Sequence, residues 1–582
     1  MARLVKGKCR DGIGLFTIRE LVERAKEKFS ERPFFKWRTT DGSFDMMTYG
    51  DFYNVMANLA TGLYSLGLVK GNQIAIVGKN SNEWAILFLT VLSSGMIVVP
   101  LDANLKPEER AGIINQSEVK TVISSGDFLG EFVEKTAFNK NFILISMGEG
   151  DKTLKNLEER GANLRENGDS TFENTEVLLD DIAELIFTSG TTGVSKGVVL
   201  THRNLGANVN QIYQALPYSS DDVFLSLLPL HHTFESTAGL LVPVSGGSSI
   251  IYARSYKSKD IIEMIRDASV TMICGIPRLY EAMARGIEKA IEEQMFIKRV
   301  LVKFLTALVR SIRKLSGWEL GEFIFRSLRK KAGLMSMRMF ISGAGPLSQT
   351  VGEIFKTLGI RLLQGYGLTE TSPVVSVNPY RKWRPETIGY PIPGVEVIVY
   401  NPDENGIGEL WVKGDNVMLE YYNNIKATRD TIVDGWLRTG DLGYIDKYGH
   451  IHITGRLKNL IKTSSGKNIY PEEIELLLCS SPKIADTVVL RVENIKTRRE
   501  EVGAIVHPNM EYFTEFFGDD IINKDKIKKE IIMEVKEVMK RVADFKRVKS
   551  IAITWDGFEM TSTLKVKRHL IDKGKFEIVD VL

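Results

Sequence analysis

The stretch Thr188-Ser-Gly-Thr-Thr-Gly-Val-Ser-Lys-Gly-Val198 constrains the fold most strongly, because it places a Gly- and hydroxyl-rich loop between two apolar runs. Glycines let backbone N–H groups approach an anion closely, hydroxyls add donors, and Lys196 adds a positive charge. The flanking runs, Ala183–Phe187 and Gly197–His202, are apolar and partly β-branched, which is typical of strands. We therefore predict a phosphate-binding loop within a strand–loop–strand unit.

A P-loop is the main alternative for this stretch. Counted from Gly190, Lys196 stands at the position of the P-loop lysine. However, Ser195 replaces the second glycine, and Gly197 occupies the place of the magnesium-binding hydroxyl residue. A strand rather than a helix is expected to follow. A plain hairpin turn on the surface stays open for such a motif taken alone.

Composition excludes several classes of protein. The 582 residues are 43% hydrophobic and 26% charged, which is ordinary for a globular protein of two or more domains. A net charge of +3 argues against a general nucleic-acid binder. The three cysteines have no metal-ligand spacing, and neither a signal peptide nor an apolar run of about 20 residues is present. We expect a cytoplasmic protein.

Strand-like and helix-like patterns alternate from Phe34 to about Tyr380. Thr48 is expected to cap a helix with apolar residues at i, i+3, i+4 and i+7, and Gln73–Val77 and Met96–Pro100 are expected to be buried strands. This alternation predicts an α/β fold with parallel sheets covered on both faces. The polar segment between Gly148 and Asp180 is predicted to be a loop or a poorly ordered connector.

The last third of the chain changes character twice. From Ile388 to Asp446, short strands and Gly-containing turns predict a small β-barrel or meander. After Arg456, a helix at Pro471 and further strands and helices predict a compact C-terminal domain of roughly 125 residues.

A basic amphipathic segment interrupts the alternation. From Phe296 to Leu315, apolar residues recur at helical spacing, and basic residues lie largely off that stripe and continue to Lys331. Such a helix can lie in an anionic membrane surface, or it can pack on the core with a solvated basic side. Periodicity leaves both readings open.

Four further motifs accompany the phosphate loop. They are Gln364-Gly-Tyr-Gly-Leu-Thr-Glu370, Asp434-Gly-Trp-Leu-Arg-Thr-Gly-Asp-Leu-Gly443, the segment Ile453–Glu475 with Gly455-Arg456, and Met560-Thr-Ser-Thr-Leu-Lys-Val-Lys567. In this order and spacing, the chain resembles the adenylate-forming (AMP-binding) superfamily over nearly its whole length. It looks most like the long-chain fatty acid–CoA ligases, through the Asp434–Gly443 motif and the insertion around 296–335.

The resemblance implies a large N-terminal domain, residues 1–457, of two doubly wound α/β subdomains plus a small β-barrel. A smaller, mobile α+β domain, residues 458–582, would follow. The substrates and cofactors would be a fatty acid, ATP, Mg²⁺ and CoA. The fatty acid would become an acyl adenylate with loss of pyrophosphate, and CoA would then displace AMP.

The resemblance also implies roles for individual residues. Glu370 would bind Mg²⁺, and Thr369 would touch the α-phosphate. Residues implied to hold the β- and γ-phosphates are Thr188, Ser189, Gly190, Thr191, Thr192, Gly193 and Lys196. Tyr366 would stack on adenine, and Gly343, Ala344, Gly345 and Gly367 would line the same pocket. Asp441 would accept hydrogen bonds from the ribose hydroxyls, with help from Arg456.

Two residues would act on the carboxylate. Lys565 matches the lysine that contacts the substrate carboxylate and the α-phosphate, although Leu564 stands where many relatives have glycine. Lys567 is a weaker candidate for the same role. His232, in Leu228-Pro-Leu-His-His-Thr-Phe-Glu235, matches the acyl-site histidine and would orient the carboxylate as a neutral imidazole. Its neighbour His231 would be a bystander.

One site would serve both half-reactions by rotation of the C-terminal domain about Lys458. Rotation would withdraw Lys565 and bring the loop containing Gly466 to the pantetheine tunnel. Open alternatives are a carrier-protein phosphopantetheine as acceptor, an aromatic or branched acid as substrate, and a non-catalytic lipid-binding relative. Acyl chain length and oligomeric state are not determined by the sequence.

Overall fold

A computed structural model describes residues 9–119, 121–126, 128, 143–148, 152–188, 195–463, 466–493, 500–517, 523–561, 565–571 and 579–580. The strands, in chain order, are β1 Pro33–Arg38, β2 Phe44–Thr48, β3 Gln73–Val77, β4 Ile97–Leu101, β5 Thr121–Ser124, β6 Ile143–Ser146, β7 Ile182–Thr188, β8 Lys196–Thr201, β9 Val223–Ser226, β10 Ser249–Tyr252, β11 Met272–Gly275, β12 Met339–Ser342, β13 Leu362–Gly367, β14 Val374–Val377 and β15 Tyr390–Pro391. They continue with β16 Glu396–Tyr400, β17 Gly408–Lys413, β18 Glu420–Tyr421, β19 Ile432–Val433, β20 Trp436–Ile445, β21 Ile451–Arg456, β22 Ile461–Lys462, β23 Asn468–Ile469, β24 Ile484–Glu493, β25 Glu500–Pro508, β26 Ser550–Ile553 and β27 Val579–Asp580.

Helices alternate with these strands. The longer ones are Ile18–Phe29, Tyr49–Tyr64, Asn82–Ser93, Pro107–Ser117, Leu154–Glu166, His202–Ala215, Ser258–Asp267, Pro277–Glu292, Phe296–Ser316, Gln349–Thr357, Pro471–Leu478, Met510–Phe517 and Lys524–Met539. Shorter helices are Thr171–Asn174, Val242–Gly246, Gly321–Ile324, Arg326–Lys331 and Ile425–Thr431, and Glu235–Leu241 forms a π-helical turn.

Two large sheets form the body of the molecule. One has nine strands in the order β15-β14-β13-β12-β11-β9-β10-β1-β2, and its central pairs from β13 to β1 are parallel. The other has seven strands in the order β18-β8-β7-β4-β3-β5-β6, parallel from β7 to β6. The predicted fold class, with two doubly wound α/β units, is confirmed.

Two smaller sheets follow. Strands β16, β17, β20 and β19, with β21 beside β20, make a five-stranded antiparallel sheet where the small barrel or meander was expected. The turn between β19 and β20 holds Asp434 and Gly435 at positive φ, as expected for a two-residue hairpin. Strands β24 to β27 form the sheet of the C-terminal part.

Separate hydrophobic clusters accompany the sheets. One cluster of buried side chains runs from Phe16 to Ile451, and another runs from Ile461 to Ile551. The gap between these clusters brackets residue 457. It supports a domain boundary there, which stays a prediction.

The expectation of a loop between Gly148 and Asp180 was wrong. Leu154–Glu166 is a helix that Thr153 caps through the backbone N–H of Asn156. It packs closely on the helix Tyr49–Tyr64, since a Cβ added to Gly161 would lie 1.8 Å from the carbonyl oxygen of Asn58. The buried residues of this helix are Leu154, Leu157 and Gly161, at i, i+3 and i+7, so the helical pattern is present but rests on two leucines within a highly charged stretch.

Among the residues that the structure describes, no helix combines the length and apolar character that crossing a bilayer requires.

Candidate active site

The phosphate-loop stretch lies in a β-hairpin. Strands β7 and β8 pair antiparallel with Thr188 opposite Lys196, and the Thr188 hydroxyl donates to the carbonyl oxygen of Lys196 at 3.4 Å. The strand–loop–strand prediction is therefore confirmed, and a P-loop is excluded because no helix follows the lysine directly. Ser189, Gly190, Thr191, Thr192 and Gly193 lie outside the described residues.

Tyr421 joins the hairpin to the predicted metal ligand. It lies on β18, which pairs with β8, and the Lys196 ammonium lies 4.8 Å from the centroid of its ring. Its hydroxyl donates to Oε1 of Glu370 at 2.8 Å. Sequence analysis missed Tyr421, because its two partners are far from it in the chain. The contact brings Lys196 and Glu370 to the same place.

Glu370 follows β13 in the short 3₁₀ turn Thr369–Thr371. Its carbonyl oxygen accepts from the backbone N–H of Met418 at 2.9 Å, which ties the turn to the loop before β18. The carboxylates of Glu370 and Asp441 are near enough that Glu370 raises the pKa of Asp441. A half-exposed carboxylate beside a cation and a phosphate loop suits Mg²⁺, which proteins commonly hold with one or two carboxylates plus substrate phosphates.

Asp441 is the most enclosed charged residue of the group, with 4% of its surface exposed. On β20 it faces Arg456 of β21, whose Nε lies 2.6 Å from Oδ1. The Tyr366 hydroxyl donates to Oδ2 at 2.6 Å. Burial raises the pKa of Asp441, and Arg456, Tyr366 and Lys565 oppose that rise. These donors stabilise a buried carboxylate that has lone pairs left for further donors.

Tyr366 and Gly367 end β13. Burial raises the pKa of the Tyr366 phenol, and the nearby Asp441 carboxylate raises it further. Gly367 has no room for a side chain, because a Cβ there would lie 1.8 Å from the carbonyl oxygen of Pro373. The close approach lets the chain turn from β13 toward Glu370.

The Gly343–Gly345 turn lies beside the acyl-site motif. It follows β12, and Ala344 has a positive φ of 64°. A Cβ on Gly343 would come within 2.8 Å of the Phe234 ring. The nucleotide motif and the motif with His232 are therefore in direct contact.

Lys565 reaches this site from the C-terminal part. The surrounding protein atoms lower the pKa of its ammonium group, Arg456 lowers it further, and Asp441 raises it. The residue as a whole keeps solvent access. Its backbone is held by Thr561, whose N–H donates to the Lys565 carbonyl oxygen at 2.8 Å. The structure thus brings Lys565, Asp441 and Arg456 together.

His232 lies near the same lysine. Burial lowers the pKa of His232 to about 3, and the charges of His231 and Lys565 contribute to this shift. The imidazole is therefore neutral at physiological pH, as predicted. The His231 ring lies 4.3 Å from it between ring centroids, tilted by 47°, and Nε2 of His231 lies 3.5 Å from Oδ2 of Asp102. Asp102 comes directly after β4, and sequence analysis missed it.

Asp102, His231 and His232 each place one possible ligand atom within 4.8 Å of the others. Two imidazoles with one carboxylate suit transition metals better than Mg²⁺, which prefers oxygen ligands. This group therefore does not compete with Glu370 for the predicted magnesium role.

Glu235 closes the acyl-site motif and was not singled out by the sequence. It is fully buried under the nine-stranded sheet, where the hydroxyl of Ser226 donates to Oε1. Burial raises the pKa of Glu235 to about 8, so the side chain is largely protonated at neutral pH. A neutral carboxyl group fits this apolar surrounding better than a charged one.

Lys458 and Gly466 lie at the edge of the site. Lys458 belongs to the short turn Leu457–Asn459 after β21. Burial lowers the pKa of its ammonium group, and the positive charge of Arg456 lowers it further. Gly466 lies in the turn between β22 and β23 at a φ of +79°, where an added Cβ would meet open space. Their roles in rotation and in CoA binding stay predictions.

Comparisons with known proteins agree with this geometry. The model of the family described as AMP-binding enzyme matches residues 22–422. The long-chain-fatty-acid–CoA ligase of Yersinia pestis is 30% identical over 514 residues, covering 82% of this chain and 83% of the relative. The long-chain-fatty-acid–CoA ligase FadD15 of Mycobacterium bovis is 27% identical over 565 residues, 92% of each chain.

A solved structure gives the same result. The crystal structure of ATP-bound MatB from Rhodopseudomonas palustris matches with a TM-score of 0.73 and 25% identity, covering 95% of this chain and 98% of MatB. The extent of the family match, together with the relative at 30% identity, decides the assignment. The chain belongs to the AMP-binding enzyme family and is an AMP-forming acid–thiol ligase.

Proposed function

We propose that this enzyme activates a long-chain fatty acid with ATP and Mg²⁺ and transfers the acyl group to CoA. The observation that carries the proposal is the meeting of Lys565, Asp441 and His232 in one place, although they lie more than 100 residues apart in the chain. The names of the Yersinia pestis and Mycobacterium bovis relatives support a long-chain substrate.

In the first half-reaction, a carboxylate oxygen attacks the α-phosphorus of ATP, and pyrophosphate leaves. Negative charge accumulates on the α-phosphate and on the leaving group. Lys565 would stabilise the charge on the α-phosphate, and Lys196 with the hairpin loop would stabilise the charge on the leaving group. Because its pKa is lowered to about 3, His232 stays neutral and can donate one hydrogen bond to the carboxylate without carrying charge.

Nucleotide binding would use the Asp441 group. Oδ1 already faces Arg456 and Oδ2 accepts from Tyr366, yet a carboxylate offers about four lone-pair positions, so two ribose hydroxyls can still donate. The bond to Asp441 also fixes the orientation of the Tyr366 ring for stacking on adenine. Glu370 would hold Mg²⁺, which would neutralise phosphate charge.

In the second half-reaction, the thiol sulfur of CoA attacks the acyl carbonyl carbon, and AMP leaves with the oxygen that linked it to the acyl group. The thiol proton passes to solvent or to AMP. We propose that the C-terminal domain, residues 458–582, rotates about Lys458 between the two steps. The closeness of Lys565 to Asp441 would then correspond to the adenylation arrangement.

The acceptor and the acid are tested together. Fatty-acid-dependent ATP–pyrophosphate exchange is measured over a series of chain lengths, with an aromatic and a branched acid alongside. Acceptance of the acyl group is then compared between CoA and holo-acyl-carrier protein. Exchange with long chains and transfer to CoA are expected. If no carboxylic acid supports exchange, the proposal is wrong. If the acyl group passes only to the carrier protein, the acceptor is the carrier protein and not CoA.

A further inference from the structure

The helix Phe296–Ser316, the basic helix, carries an apolar stripe that faces solvent. The stripe runs through Ile297, Leu301, Phe304, Leu308 and Leu315, which are 39% to 88% exposed. Their spacing of i, i+4, i+7, i+11 and i+18 keeps them on one side of the helix along its length of about 30 Å. Packing on the protein core therefore does not account for this stripe.

A different face attaches the basic helix to the molecule. Val309 is 1% exposed, and Val302 and Leu305 pack against the main hydrophobic core. The Arg313 guanidinium pairs with Glu353, and Nε of Arg310 donates to the Thr357 hydroxyl at 3.2 Å. The helix is thus held in one orientation, which turns the stripe outward.

The exposed apolar surface continues beyond the stripe. At the two ends of the helix, Met295, Phe296, Trp318 and Phe323 are 67% to 79% exposed. Scattered exposed apolar residues are normal, but large contiguous apolar patches on soluble proteins mark interaction surfaces. We call the stripe together with these four residues the apolar patch.

Positive charge surrounds the apolar patch. Residues 295–335 contain ten lysines and arginines but only two acidic residues, whereas the whole chain has a net charge of +3. Lys303 and Lys314 lie roughly 100–120° round the helix from the stripe, on the side away from the packed face, and Arg299 lies farther round on that side. The segment is therefore much more basic than the rest of the protein, and its partner must be anionic as well as apolar.

We propose that the basic helix and the following segment to Lys331 bind the surface of an anionic lipid bilayer, with the apolar patch inserted among the acyl chains. The helix would lie in the plane of the interface, with its lysines and arginines at the level of the headgroups. A second copy of this chain fits less well, because a symmetric contact would bring two strongly basic segments together.

Vesicle binding of the full-length enzyme tests this proposal. Co-sedimentation is measured with neutral phosphatidylcholine vesicles and with vesicles containing about one third phosphatidylglycerol. We expect at least tenfold tighter binding to the anionic vesicles at low salt, and a loss of most of that preference near 0.5 M salt, because the Debye length falls to a few ångströms.

Two matched sets of variants separate charge from insertion. The triple variant Arg299→Gln, Lys303→Gln and Lys314→Gln is expected to weaken binding to anionic vesicles at least tenfold. Its control, with Lys526→Gln, Lys529→Gln and Lys536→Gln on the C-terminal helix, changes binding less than twofold. Phe304→Ser with Leu308→Ser is expected to weaken binding similarly, and Met533→Ser serves as its control.

Trp318 gives a readout of insertion depth. Vesicles with brominated acyl chains are expected to quench part of the tryptophan fluorescence, and Trp318→Phe should remove that part. Equal binding of the charge triple variant and the wild type, or no quenching through Trp318, would overturn the proposal. So would a salt-resistant dimer that forms through the patch in place of vesicle binding.

ATP–pyrophosphate exchange with a water-soluble acid is measured on every variant. Because none of these residues belongs to the active site, exchange should stay at the wild-type level, which also shows that the variants fold. Failure of exchange in the wild type would concern the proposed function and not membrane binding.

Discussion

The guanidinium Nε of Arg456 lies 2.6 Å from Oδ1 of Asp441, across neighbouring strands of the same antiparallel sheet. Arg456 is also the last residue of β21, directly before the predicted domain boundary. The ion pair therefore links the nucleotide site to the point at which the C-terminal part begins. A buried carboxylate that loses its partner is strongly destabilised, so the pair holds Asp441 in the place proposed for the ribose.

Tyr366→Phe tests the second donor to Asp441. The ring is kept, and only the hydrogen bond to the carboxylate is lost, which is worth about 1.5–3 kcal/mol when one partner is charged. We expect KM for ATP to rise roughly 10- to 100-fold, with a smaller change in kcat. Tyr444→Phe, on the same strand as Asp441, is the control and should leave KM unchanged. An unchanged KM in Tyr366→Phe would contradict the proposed role.

Lys565→Ala is expected to slow fatty-acid-dependent ATP–pyrophosphate exchange by about 10²–10³-fold, because a positive charge at the forming acyl phosphate is lost. Thioester formation from supplied acyl adenylate should survive. Lys567→Ala is the matched control and should retain exchange. If both half-reactions survive in Lys565→Ala, the lysine has been assigned wrongly.

Arg278 and Asp486 form an ion pair between the helix Pro277–Glu292 and strand β24 of the C-terminal part. We expect this pair to favour the arrangement in which Lys565 lies near Asp441. Asp486→Asn is therefore expected to reduce exchange several-fold and to leave or raise the rate of thioester formation. Glu500→Gln, which breaks an exposed pair with Arg491 inside the C-terminal sheet, is the control. Equal losses in both half-reactions would indicate a general folding defect instead.

Glu370→Gln should raise the Mg²⁺ concentration needed for half-maximal exchange by at least tenfold, because a neutral amide is a weaker ligand for a hard cation. The exchange rate is titrated with Mg²⁺ at fixed ATP. Glu420→Gln, beside Tyr421 on β18, keeps the wild-type requirement. An unaltered titration in Glu370→Gln would place the metal elsewhere.

Glu235 predicts how stability changes with pH. Its pKa is about 8 in the folded protein and near 4.5 when unfolded, so the folded state holds more protons between these values. Its contribution to stability is therefore largest below about pH 4.5 and falls as pH rises to 8, at a rate on the order of 1 kcal/mol per pH unit.

Glu235→Gln removes that titration. The free energy of unfolding of the variant, minus that of the wild type, should increase from pH 5 to pH 8. Denaturant titration at several pH values measures this difference. Glu404→Gln, an exposed change, should run parallel to the wild type. Parallel curves for Glu235→Gln as well would mean that Glu235 is charged in the folded protein.

Local features were predictable from the sequence. The Gly- and hydroxyl-rich loop between two β-branched runs indicated two strands joined by a loop, and β7 and β8 pair in this way. Thr48 indicated the start of a helix, and the structure confirms it as the N-cap of the helix Tyr49–Tyr64. These signals succeed because they depend on neighbours in the chain. The five motifs also indicated the family, and with it the residues expected to meet around ATP.

The tertiary structure alone decided how those residues meet. Tyr421 contacts both Lys196 and Glu370, and Asp102 lies beside His231. These residues meet because strands that are distant in the chain end at the same place. The side chain of Glu235 is protonated because the fold buries it, which its position in the chain does not show. The periodicity of the basic helix was compatible with core packing or with membrane binding. Only the packed position of the helix shows that its apolar stripe faces solvent, since burial is a property of the whole fold.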